Sequence, residues 1–174
     1  MKRTVIAIAL AASLPFAANA AEGISYNYLE AGYKASNGDL DADGYAANGS
    51  FSFHPNFHVF GGLGSQEIDN TRRDIDQYHL GVGYNLEIAP RTDLLARVAY
   101  QKLDAGRALG RELDFDGWST EVGVRGLLAD NFDGYALAGY EDYDGGIDGD
   151  FYGRLGANVR FNANWGLNGD VKFN

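Results

Sequence analysis

Asp39-Leu40-Asp41-Ala42-Asp43-Gly44 matches the first half of a calcium loop, where acids at alternate positions converge on a hard cation and a glycine permits the turn. The second half fails, because the twelfth position is Ser50 where a bidentate Glu belongs. A weak divalent-cation site at Asp39, Asp41 and Asp43 is one reading. Solvated acidic turn residues are the preferred one, since Asp and Gly serve turn geometry without a metal. His54 and His58 flank the turn His54-Pro55-Asn56, but no third ligand or adjacent acid accompanies them, so no metal site is expected. His79 with Ser119 and Asp76 has the residue types of a nucleophilic trio, yet nothing in the sequence fixes their geometry. No catalytic residue is assigned and the chain is read as a non-enzyme. Gly61-Gly62-Leu63-Gly64 lacks the Lys and helix of a phosphate loop, and reads as a place where strands bend or approach closely. No cofactor is called for.

The remaining charges sit on alternating stretches. In FYGRLGANVRF (151–161), Phe151, Leu155, Ala157, Val159 and Phe161 alternate with Tyr152, Arg154, Asn158 and Arg160. Successive strand side chains point to opposite faces, so this is a strand with one apolar and one polar face. The same period recurs at 44–53, 77–86, 92–102, 118–128 and 165–173, and more weakly near 24–35, 57–67 and 133–143. Nine strand candidates of about ten residues make an all-β up-and-down meander, expected as an antiparallel barrel of eight to ten strands. Short turns (54–56, 87–91, 129–131, 162–164) alternate with longer polar stretches (36–43, 68–75, 103–116, 142–150). Transmembrane barrels of the outer membrane have this short–long rhythm.

MKRT, the apolar run VIAIALAASL and Ala18-Asn19-Ala20 form a secretory leader, so residues 1–20 are read as a cleaved signal peptide and 21–174 as the barrel domain. No Cys follows for a lipid anchor. Against 24 Asp and Glu stand 14 Lys and Arg, two of them in the leader, which excludes a nucleic-acid footprint.

Alternation does not say which face is wet. The polar face is rich in Gly, Ser, Asn and Arg and nearly free of Lys, unlike a soluble exterior. On the apolar face the aromatics gather at strand ends. Tyr33, Tyr45, Tyr78, Tyr100, Trp118, Tyr140 and Phe151 lie toward the long loops. Phe53, Phe57, Tyr84, Phe161 and Trp165 lie toward the short turns. Two aromatic belts around an aliphatic band are the girdles of a membrane barrel. Tyr45, Tyr84, Trp118, Phe151, Phe161 and Trp165 are therefore assigned to the lipid interface. Glu30, Arg97, Glu121, Arg125, Glu141, Arg154 and Arg160 are assigned to one lumen charge network, because buried charges must be paired. Such a network fills and plugs a narrow barrel. The alternatives are a narrow pore, a soluble lipocalin-like carrier with the faces reversed, or an enzyme at the rim.

SYNYLEAGY, FHPNFHVFGG, GVGYN, ARVAY, GYEDYD, FYGRLGANV and NWGLNGDVKFN, with the leader, resemble the small outer-membrane barrel proteins of xanthomonad bacteria described as regulated by the diffusible signal factor. The resemblance covers nearly the whole chain. It implies an outer-membrane barrel inserted by the barrel assembly machinery; the expected state is a monomer among outer-membrane lipids and lipopolysaccharide. It also implies a link to biofilm, motility or virulence, and the acidic loops near 36–43, 103–116 and 142–150 give the expected structural or surface-interaction role. Bacterial single-chain barrels have even strand numbers, so either a further strand follows NWGLNGDVKFN, as the family pattern implies, or one weak segment is not a barrel strand and eight remain.

Overall fold

In the computed structural model, which describes residues 6–15, 24–37, 42–68, 73–108, 111–145, 147–162 and 165–174, the two-residue periodicity becomes a single closed antiparallel sheet. Its strands are β1 (Ile6–Pro15), β2 (Tyr28–Asn37), β3 (Ala42–His54), β4 (Phe57–Ile68), β5 (Arg73–Ala89), β6 (Thr92–Ala108), β7 (Arg111–Ala129), β8 (Phe132–Tyr143), β9 (Ile147–Arg160) and β10 (Gly166–Phe173). Each strand from β2 to β10 pairs with its chain neighbour, and β1 closes the ring between β2 and β10. Closure leaves no edge whose backbone groups would be stranded in lipid.

Nine of these strands correspond to the nine expected from alternation. The tenth differs from expectation. Residues 6–15, read above as the apolar run of a leader, pair along their length with both β10 (Ile8 opposite Val171) and β2 (Leu10 opposite Tyr33). The sequence IAIALA itself alternates large and small residues, which suits a strand as well as an apolar leader.

The faces are inverted relative to a soluble barrel. Tyr45 and Phe151 are each 75% exposed, and Leu63, Leu80, Val82, Val98, Val122, Val124 and Leu155 are exposed along the strand middles. Asp133, His58, Gln66, Ser119, Glu121, Asn168 and Asp170 are buried. The lipocalin-like alternative is thereby overturned: the apolar face is outside. All six residues assigned to the lipid interface are exposed. On the long-loop side the rings of Trp118, Tyr140 and Phe151 form a continuous run, with centroids 5.6 and 4.9 Å apart. On the short-turn side Phe57 meets Tyr84 at 5.1 Å and Phe53 at 6.2 Å.

Most of one polar stretch expected as a loop, 103–116, is strand. Residues 103–108 and 111–116 extend β6 and β7 as a paired ribbon, with Arg107 opposite Glu112. Beyond the lipid both faces of a ribbon can be polar, so no alternation marks it. The short turns are tight, and Arg91 in the β5–β6 turn has φ of 66°. In the other direction, residues 24–27, expected within a strand, precede β2 and turn into the lumen.

Candidate functional site in the barrel lumen

The lumen is built by the inward residue of every second strand position, and large side chains are admitted where the neighbouring strand has glycine. A Cβ at Gly156 would lie 2.2 Å from Tyr135 Cζ, and one at Gly139 would lie 2.3 Å from Tyr152 Cζ. Gly62 likewise leaves room for Asn48 and His79, as its place in the glycine run suggested.

Three polar clusters stack along the barrel axis. Across the middle, Arg97 Nη2 lies 2.6 Å from Glu121 Oε2, and Arg154 Nη1 lies 3.5 Å from Glu121 Oε1. Arg154 Nε also donates to Asp170 Oδ2 at 2.8 Å, and the Tyr135 hydroxyl donates to the same carboxylate. Tyr152 donates to Glu121 Oε1 at 3.0 Å. Toward the short turns, Arg125 Nε donates to Asp133 Oδ2 at 2.8 Å, as does Asn158 Nδ2. Toward the long loops, Lys172 Nζ reaches both oxygens of Glu141 at 2.6 and 2.7 Å. There too Lys34 Nζ donates to Gln77 Oε1 at 2.5 Å. Side chains from β2, β5, β6, β7, β8, β9 and β10 thus meet across the lumen. Each guanidinium or ammonium lies near an oxygen acceptor, which favours holding charge away from bulk water, but the Arg97 Nε and Nη2 groups make no hydrogen bond of good geometry and Arg97 is held to Glu121 by charge.

The predicted single network is therefore three clusters. Arg97, Glu121 and Arg154 come together in the middle one. Arg125 belongs to the short-turn cluster and Glu141 to the long-loop cluster, each with a partner outside the predicted set. Glu30 accepts from Asn48 Nδ2 at 3.2 Å. Arg160, the last residue of β9, donates from Nη2 to the Asp130 backbone carbonyl at 3.0 Å in the neighbouring turn. Its strand-end position carries it to the mouth, away from the carboxylates. Asp133, Asp170, Tyr135, Tyr152 and Lys172 were not singled out. Alternation in β10 had already set Asp170 and Lys172 on the polar face. Asp133 was hidden because an Asp beside the Asp130-Asn131 turn looks like a turn residue.

The other candidate sites are not assembled. His79 shares the lumen with Ser119, whereas Asp76 takes the opposite face of β5, with the exposed Tyr78 and Leu80. His54 is exposed at its turn, where its Nδ1 accepts from Asn56 N at 3.2 Å, while His58 is buried in the lumen. Asp39 and Asp41 lie outside the described residues, and Asp43 is exposed on β3. Among the described residues no three metal-ligating side chains gather.

A cavity of about 80 Å³ remains between the middle cluster and the short-turn mouth, lined among others by Arg97, Arg125, Arg154, Asn158 and Asn168. Tyr26 lines it on the short-turn side. Burial holds its phenol above the ordinary tyrosine value, so it stands as a neutral hydrogen-bond donor to Asp93 Oδ2, at 2.9 Å.

The family model described as "Gram-negative porin" matches residues 3–106. Among solved structures, Ail, the attachment invasion locus protein of Yersinia pestis, is similar over 98% of each chain, with 14% identity and a TM-score of 0.42. No curated protein matches.

Proposed function

From the premise that this chain belongs to the Gram-negative porin family and is a porin-like outer-membrane β-barrel, we propose that it is a filled barrel, a rigid membrane frame that presents acidic loops at the cell surface. The observation that carries this reading is the Arg97–Glu121–Arg154–Asp170 cluster, which lies across the middle of the lumen. A ten-stranded barrel has little free lumen once side chains of this size meet inside it. What is left is a cavity of about 80 Å³, room for a few waters.

The role is non-catalytic: fixed strands hold variable segments. Acidic residues crowd the long-loop side, with Asp104, Asp114, Asp116, Asp142, Asp144, Asp148 and Asp150 among them. The proposed neighbours are outer-membrane lipids and lipopolysaccharide, whose phosphates such acids meet through shared divalent cations. The resemblance to the xanthomonad barrel proteins supports a link to biofilm, motility or virulence.

Planar-bilayer recording tests the filled lumen. The wild-type barrel is expected to give no discrete channel steps. Discrete wild-type conductance that changes on neutralising Arg97 or Arg154 would establish a narrow pore instead.

A further inference from the structure

Ser25, Tyr26 and Asn27 do not extend the β2 ladder; they enter the barrel at its short-turn mouth. Tyr26 is 5% exposed. Its ring stacks on His58 with centroids 4.7 Å apart and planes 14° from parallel. Arg125 Cζ lies 5.1 Å from the same ring centroid, and Arg125 Nη1 donates to the Ser25 carbonyl at 3.2 Å. The Tyr26 hydroxyl is held by Asp93, and Asn27 Oδ1 accepts from Ser52 N at 2.7 Å. Buried Leu95 and Leu137 pack against Tyr26. Three consecutive residues are thus tied to β3, β4, β6, β7 and β8 without taking part in any strand ladder. They occupy the opening that the strands leave.

The Tyr26 ring touches an imidazole and a guanidinium and makes one hydroxyl bond, and the bonds at the Ser25 carbonyl and Asn27 Oδ1 belong to no strand ladder. It can withdraw without breaking the ladder that makes the barrel. We propose that Ser25–Asn27 is a removable stopper, an autoinhibitory contact that closes the short-turn mouth over the arginine-lined cavity. The lumen is then shut twice, by Tyr26 at the mouth and by the Glu121 cluster in the middle. The second closure rests on the filled-lumen reading; the first does not.

The chain has no cysteine, so one introduced thiol reports cleanly. Asn168→Cys places it in the cavity lining. The folded barrel in detergent micelles is treated with a small methanethiosulfonate reagent, with Tyr26, with Tyr26→Ala and with Tyr26→Phe. Labelling is expected to be at least tenfold faster with Tyr26→Ala, and intermediate with Tyr26→Phe, which keeps the stack and loses the hydroxyl bond. Equal rates in all three would overturn the stopper. Retained gel mobility shift on boiling shows that each variant is folded. In bilayers, Tyr26→Ala alone and Arg97→Ala/Glu121→Ala alone are expected to stay closed, and the triple variant to conduct. If the Arg97/Glu121 variant conducts as well as the triple, the stopper is rejected. If the wild type conducts, the filled-lumen reading falls, and the labelling comparison still decides the stopper.

Discussion

Glu121 stands between Arg97 and Arg154, one carboxylate oxygen 2.6 Å from the first guanidinium and the other 3.5 Å from the second. Removing this carboxylate leaves the buried Arg97 without its ion pair and Arg154 with Asp170 alone. Glu121→Ala is expected to cost about 3–5 kcal/mol. The check is the urea midpoint for unfolding from lipid vesicles, followed by tryptophan fluorescence. Glu121→Gln keeps the Tyr152 hydrogen bond and is expected to cost less.

The clusters differ in whom they share. Glu121 and Asp170 both bind Arg154, whereas Asp133 binds Arg125 and Asn158. A double-mutant cycle on Glu121→Ala and Asp170→Ala should show a coupling of about 0.5–3 kcal/mol. The cycle on Glu121→Ala and Asp133→Ala should be additive within about 0.5 kcal/mol. Equal coupling in both cycles would mean one continuous network.

Depth in the bilayer separates two exposed residues. Val122 lies mid-strand and Phe151 in the aromatic belt. Val122→Lys is expected to destabilise by about 2–4 kcal/mol and Phe151→Lys by about 0–1 kcal/mol from the charge itself. Folding titrations in vesicles read both.

Arg91 adopts a left-handed backbone conformation, with φ of 66°, at an exposed turn after Pro90. Its ion pair to Asp130, at 2.7 Å, is solvent-exposed and worth little. Arg91→Gly should therefore stabilise the barrel by up to about 1 kcal/mol, seen as a higher boiling-gel transition temperature.

The Tyr26 phenol is raised by burial, so the folded state favours its neutral form. Its contribution is fully present below the unfolded phenol value of about 10 and is lost as pH rises beyond it. Cysteine labelling at position 168 should be flat from about pH 6 to 9 once corrected for reagent reactivity. A rise within that window would show that another group controls the mouth.

The strands and their faces were legible in the sequence because lipid imposes a strict two-residue period: Leu80, Val82 and Tyr84 could not trade places with His79, Gly81 and Gly83. The aromatic belts followed from the same rule. Pairing across the lumen was not legible. Which carboxylate meets Arg125 depends on barrel stagger, which no single strand contains, so Asp133 was passed over and Glu30 was given a guanidinium in place of Asn48. Tyr26 was missed because a single aromatic beside a strand looks like the strand's beginning. The leader-like run IAIALA fits two roles with one pattern, and local sequence does not choose between them.

Three of the long polar side chains reach past the neighbouring strand. Lys34 of β2 reaches Gln77 of β5, Lys172 of β10 reaches Glu141 of β8, and Arg154 of β9 reaches Glu121 of β7. These contacts act as spokes in a wheel. A hollow ring of strands can ovalise under lateral pressure from the bilayer, but a spoked one keeps its cross-section. The shape of this barrel is thus set from inside, at the level of the hydrocarbon. The surface loops are then free to change in length and sequence without deforming the frame that carries them.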